Sequence, residues 1–318
     1  MRLLRNLGFG LAAMAASVAM AVPAAAQNFP TQRVTIVVPF TAGSVTDILA
    51  RILADDLSKK WNQQVIVENR PGLPGTTAAA KATADGHTLM LTSNGHTVAK
   101  LINQNIQFDP VKDFSGITRV ASVPLYLIVN PEVPVKTAKD VVELAKKKPG
   151  ELLFSSPGLA STTFIAGAMF RKQTGIDIKH IPFKGAPESV QAVLRNDVQM
   201  YFAPVNLTKE LAESGKVRAI ATVTAQRLPE MPDVPTFREA GYNFTYDSWF
   251  GLMTQSGVPR DIVKKLNQDI VASLKSPDVK DKLDKQFVLG VTDTPEEFDK
   301  IIRDDVERLT EVFKEVTN

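Results

Sequence analysis

Short apolar runs alternate with amphipathic stretches from residue 34 to the end of the chain, and this alternation sets the fold class. The β-branched run at 34–38 predicts a buried strand, and residues 46–60 carry apolar positions at helical spacing. Further strands are expected at 64–68, 87–91 and 125–129, with a loop at 69–75 and a short helix at 76–81. The pattern then predicts a helix at 137–148 stopped by Pro149-Gly150, a strand at 152–155, and a helix at 162–173 ending at Gly175. Strands at 178–183, 198–202 and 217–222 alternate with helices at 188–195 and 209–214, and long helices are expected at 259–275 and 295–316. Such βα alternation predicts an α/β protein whose mostly parallel sheets are covered by helices on both faces. The chain is too long for one compact sheet and has no repeat of 20–50 residues. Two lobes around an interlobe cleft are therefore expected. One is discontinuous (27–124 and 227–318) and the other spans 125–226, entered through the Pro-flanked strand at 125–129.

Residues 1–26 stand outside this pattern. Arg2 and Arg5 precede an Ala-rich apolar stretch from Leu7 to Val22, and Ala24-Ala25-Ala26 before Gln27 matches a small-residue cleavage site. A cleaved secretory signal and a periplasmic protein are expected. Beyond it, no 18-residue uninterrupted apolar segment occurs. Loss of the two arginines lowers the net charge from +3 to +1, which argues against nucleic acid as a partner. With no cysteine there is no disulfide framework, thiol nucleophile or Cys-based metal site. A chain this long can bury enough core without staples.

Four strand ends carry candidate chemistry. The first runs through Phe40, Thr41, Ala42, Gly43 and Ser44 into a helix whose first turn holds Asp47. Ser44 suits the N-cap, with Asp47 returning to its N–H, and the open N–H groups of a helix start attract a carboxylate or a phosphate. Whether Asp47 and Ser44 touch a ligand or only cap stays open here. Ser93-Asn94 follows the strand at 87–91 and suits either a ligand or a turn. Ser155, Ser156, Gly158, Ser161 and Thr162 end one strand and open a helix, with Ser161 as the expected cap. Phe183, Lys184, Gly185 and Ala186 lead into a helix with Pro187 as its expected first residue.

The runs PFTAGSVTDILAR, VIVENRPGLPGTTAAAKATADGHTLML, IKHIPFKGAPESVQAVLRNDVQMYF and SWFGLMTQSGVPRDIVKKLN, with others between them, resemble the Bug family over nearly all of the chain after residue 26. These are the extracytoplasmic, TctC-like receptors of tripartite tricarboxylate transporters. The resemblance implies a two-lobed, type II periplasmic-binding-protein fold that closes on a small organic acid. It implies carboxylate contacts from residues 40–44 with Asp47 and from 183–186, with the serine-rich loop lining the same cleft. Phe202 and Ala203 belong to the implied site as well. Two departures matter: Ser44 stands where relatives carry a second Gly, and Ala203-Pro204 where they often carry Asp. Loss of that acid favours a ligand without an amino group, a mono- or dicarboxylate that is aliphatic or aromatic. The implied partners are membrane permease subunits, the receptor itself being a monomer without cofactor.

An enzyme is not expected. His87, His96 and His180 lack metal-ligand spacing, His180 reading as a packed or hydrogen-bonded histidine. No G-x-S-x-G elbow, P-loop or dinucleotide fingerprint occurs. Asp109 and Asp113 read as turn formers, and Trp249-Phe250 as packing residues or a stacking platform. The alternatives are a ligand-sensing component for a signalling partner, or an exported hydrolase or isomerase using the same cleft.

Overall fold

The computed structural model describes residues 28–314. The expected signal at 1–26 and the last residues of the helix expected at 295–316 lie outside that range. The buried strand β1 (Val34–Val38) feeds α1 (Val45–Trp61), followed by β2 (Val65–Asn69), α2 (Leu73–Ala80) and β3 (Thr88–Ser93). A 3-10 turn (Asn94–Val98) and the short α3 (Ala99–Ile102) precede β4 (Phe114–Ser122) and β5 (Leu125–Val129). Next come α4 (Ala138–Lys147), β6 (Leu153–Ser156), α5 (Thr162–Thr174), β7 (Lys179–Pro182) and α6 (Ala186–Leu194). The order continues with β8 (Met200–Pro204), α7 (Val205–Glu213), β9 (Arg218–Thr222) and β10 (Trp249–Gln255). It closes with α8 (Arg260–Leu274), α9 (Pro277–Asp284), β11 (Leu289–Gly290) and α10 (Pro295–Phe313).

These elements form two sheets, ordered β11-β4-β10-β3-β1-β2 and β7-β6-β8-β5-β9. The two-lobed α/β fold is the expected one, and most strands of each sheet point the same way, with β5, β10 and β11 reversed. Only β2-β1-β3 and β7-β6-β8 pair in parallel. β5 and β10 run antiparallel to both of their neighbours. The reason is topological: each enters its sheet straight after crossing from the other, so it starts at the interlobe face where β1, β3, β6 and β7 end. Those four carboxyl ends carry the candidate loops, the usual ligand side of an α/β sheet.

Three devices join the sheets. The two crossings are hydrogen-bonded together, Val123 N–H donating to Ser248 O at 3.0 Å. Beside them, Arg119 bridges Asp293 (Nε to Oδ2, 2.7 Å) and Asp247 (Nη1 to Oδ2, 2.8 Å). Helix α10, started by a Thr294/Glu297 capping box, spans both cores. Its first half packs Phe298 and Ile302 with Trp249 and Met253, while Leu309, Val312 and Phe313 enter the core of the second sheet. Val98 of the 3-10 turn joins that second core too. Burying such side chains is worth about 1.5–3 kcal/mol each.

Candidate functional site

The first loop is built from α1 backwards. Ser44 caps the helix, its Oγ accepting the Asp47 N–H at 3.2 Å. The expected return bond differs by one residue: Asp47 Oδ2 accepts from Gly43 N–H at 2.9 Å, while Ser44 N–H donates to Thr41 O. Gly43 makes this possible, because its φ of +79° lies where L side chains are strained. Asp47 is buried, and its other contacts are Arg51 (Nε to Oδ2, 3.1 Å) and Asn69 (Nδ2 to Oδ1, 3.0 Å). Burial alone would raise its pKa; the bonds from Arg51, Gly43 and Asn69 and the Arg51 charge outweigh it and hold the carboxyl below its ordinary value. Asp47 therefore shapes the loop with all its capacity. Asn69 also donates to Phe40 O at 3.2 Å, and the Phe40 ring packs on the core of the first sheet. Thr41, Ala42 and Gly43 are exposed at the tip.

At the end of β3, Ser93 and Asn94 are fully buried. Asn94 Nδ2 donates to Asp247 O across the crossing at 3.1 Å. Ser93 Oγ and Asn94 Oδ1 have no hydrogen-bond partner among the described residues. The next residue, Gly95, meets the third loop: a Cβ there would fall 1.7 Å from Ala160 O. No other residue fits that approach.

In the third loop, Ser155 Oγ is spent inside the lobe on Ser189 O at 3.2 Å. Ser156 Oγ lies 2.6 Å from His180 Nε2 and accepts from Gly158 N–H at 3.1 Å. This Ser–His contact has the distance of a nucleophile and its base, yet Ser156 is fully buried and engaged with Gly158. Ser161 caps α5 as expected, its Oγ accepting from Phe164 N–H at 3.1 Å. Thr162 opens the helix.

The fourth loop faces the first. Gly185 is the N-cap of α6, and a Cβ on it would stand 3.8 Å from Thr41 Oγ1. Phe183 packs on the core of its own lobe, Ala186 begins α6, and Lys184 projects to solvent with its N–H donating to Glu188 Oε2 at 3.2 Å. The first-turn N–H groups of Val45 and Thr46 on α1, Thr162 and Thr163 on α5, and Ala186 on α6 have no acceptor among the described residues. Three helix starts thus present donors and positive dipole ends at the interlobe face, an arrangement suited to an anion.

Two expectations are corrected. Phe202 lies in an aromatic core with Phe170, Phe237 and Phe244, and Ala203 is buried and paired with Tyr126. Alternation along β8 sends Phe202 to one face of the sheet and Ala203 to the other, and each face is covered by a core of the lobe. Of the two readings of Trp249, packing holds: it is buried in β10, its Nε1–H donating to Asp305 Oδ2 at 2.7 Å. Arg51, Asn69 and His180, which support the loops, were not among the expected site residues. The signal for Asn69 was its place, the polar end of a strand parallel to β1 and paired with Val38.

The model of the tripartite tricarboxylate transporter family receptor matches residues 49–317. The chain belongs to this receptor family. Among its relatives, Protein BugT of Bordetella pertussis is 32% identical over 306 residues, covering 94% of each chain. A UPF0065 protein of Cupriavidus necator is 36% identical over 283 residues, covering 87% of this chain and 86% of its own. A solved R. palustris structure with adipate superposes with a TM-score of 0.81 at 32% identity, covering 90% of this chain and 97% of that one. MatC from Rhodopseudomonas palustris with bound malate gives 0.81 at 28%, covering 90% and 100%. Like the family, the chain is a solute receptor and not an enzyme. Among the described residues no helix is long and apolar enough to cross a membrane.

Proposed function

We propose that this receptor works in the periplasm, after removal of residues 1–26, and captures a small organic acid between its lobes. The reading is supported by open N–H groups at the starts of α1, α5 and α6, and by the approach of the loops before α1 and α6 at Thr41 and Gly185. Malate and adipate, bound by the two R. palustris proteins, are the class of ligand that fits such donors. One jaw is the loop at 40–44, held by Asp47; the other comprises the loops at 156–162 and 183–186. The lobes are taken as 27–124 with 248–318, and 125–247, pivoting about the paired crossings; the expected bound at 226/227 moves because Phe237 and Phe244 pack in the core of the second sheet.

Bridging by the acid excludes water and strengthens each hydrogen bond. It favours the closed form only by its differential affinity for that form. The closed monomer then docks on the membrane subunits of its transporter. A ligand without an amino group is favoured, because Asp47, the acid of the first loop, already has its oxygens on Gly43, Arg51 and Asn69.

A thermal-shift screen with malate, adipate, aspartate and glutamate among a panel of organic acids tests this reading. The plain acids should raise Tm by mass action. Preference for the amino acids over their deaminated analogues contradicts the ligand class, and no shift with any acid contradicts the receptor reading.

A further inference from the structure

We propose that His180 is a positioning residue for the third ligand loop, acting through the Ser156 hydroxyl; its relevance to binding rests on the receptor reading above. His180 lies on β7, which pairs with β6, and its Nε2 is 2.6 Å from Ser156 Oγ. The same oxygen lies 3.1 Å from Gly158 N and 3.2 Å from Gly158 O. Only the Nε2–H tautomer gives each of these three contacts a proton. The imidazole and the Gly158 amide donate to Oγ, and the hydroxyl donates to the Gly158 carbonyl.

Gly158 has a φ of +116°, open to glycine without steric cost, and nothing stands within 4 Å of the position a Cβ would take, so these hydrogen bonds and not packing hold it in place. From there the chain of bonds continues outwards. Ser161 Oγ donates to Gly158 O at 2.7 Å, accepts from Phe164 N–H at 3.1 Å, and touches Thr163 Oγ1 at 3.1 Å. His180 is thereby connected to the start of α5, where the Thr162 and Thr163 N–H groups open to the interlobe face. Its ring is fixed by Phe154 and Phe164, with centroids at 5.1 and 4.6 Å. Burial depresses its pKa to about 4, so the imidazole is neutral at neutral pH.

The test uses the full chain, isotope-labelled, with His180→Phe and His180→Gln. Phe keeps a ring against Phe154 and Phe164 without a donor, and Gln restores an N–H donor without the ring. In the wild type, the imidazole nitrogen spectrum should show the Nε2–H tautomer; the Nδ1–H tautomer overturns the proposal whether or not a variant folds. Protection of the Gly158 amide from exchange should fall about tenfold in His180→Phe, the worth of one hydrogen bond, and recover in His180→Gln. Equal protection in wild type and His180→Phe overturns it. Malate and adipate are then titrated as probes. An acid that binds the wild type should bind His180→Phe about tenfold more weakly and His180→Gln nearly normally. Unchanged affinity in His180→Phe leaves His180 no role in positioning the loop for ligand. Failure of every acid to bind the wild type counts against the carboxylate reading alone, while the tautomer and exchange results still decide the role of His180.

Discussion

Asp47 Oδ2 accepts the N–H of Gly43 at 2.9 Å, so a buried acid in the first turn of α1 reaches back and fixes the exposed loop in front of its own helix. The same carboxylate gathers Arg51 and Asn69, which ties the loop to the neighbouring strand β2. Loop geometry and helix capping are thus one structure.

Asp47→Ala is expected to destabilise the fold by about 2–3 kcal/mol, because the Gly43 N–H and the Asn69 amide lose a charged acceptor. Asp47→Asn should cost less, since one carbonyl oxygen remains. Urea unfolding of both variants measures the difference. The wild-type contribution has a defined pH window. Its folded pKa is depressed, so the stabilisation is complete above the ordinary carboxylate value near ~4 and declines as pH falls through the folded value. Asp47→Ala should lack this acid-side loss.

His96 predicts a second pH dependence. It is fully buried between Phe108 and Phe114, with Nε2 2.8 Å from Pro110 O, and burial lowers its pKa from 6.5 to about 4 against the weaker pull of Pro110 and Asp109. The unfolded chain therefore takes up a proton that the folded chain refuses. Stability is whole above pH 6.5 and falls by about 3 kcal/mol as pH drops towards 4. Unfolding measured at several pH values should show this slope, and His96→Gln should flatten it.

Trp249→Phe should cost about 1–3 kcal/mol by removing the Nε1–H donor from buried Asp305. Burial raises the Asp305 pKa, and the bonds from Arg308 and Trp249 only partly oppose it. Its contribution is therefore greatest in acid and is lost as pH rises through the raised value. Without the indole donor that value rises further, so the deficit of Trp249→Phe should be larger at pH 7 than at pH 4 in chemical unfolding.

The parts of this fold that were legible in the sequence are those where one period dominates. β1 has the predicted boundaries because Val34 to Val38 is apolar throughout, and Ser161 could be read as a cap because a helical pattern follows it. β4 and β10 were not expected as strands. In β4, Ser115, Gly116, Thr118 and Arg119 interrupt the apolar positions, and their polar groups are satisfied by distant partners such as Asp293 and Asp299. α2 starts three residues earlier than expected, at Leu73, because Pro74 fits a first helical turn whereas Pro and Gly in sequence read as loop. At the site, the four loops were legible as strand ends. The use of Asp47 was legible only in part: Arg51 stands at i+4 on the same helix, whereas Asn69 becomes a neighbour only when β2 pairs with β1.

Calorimetric titration of the wild type and Gly43→Val with malate, adipate and the other acids of the panel tests the central claim most directly. A Cβ at Gly43 meets nothing within 4 Å, so the valine acts through the backbone, straining the loop at φ +79° by about 1–2 kcal/mol while leaving the core intact. The account predicts one acid bound per wild-type chain, and binding lost in a Gly43→Val protein that remains folded. A wild type that binds no organic acid, or a Gly43→Val variant that binds with unchanged affinity, would contradict it.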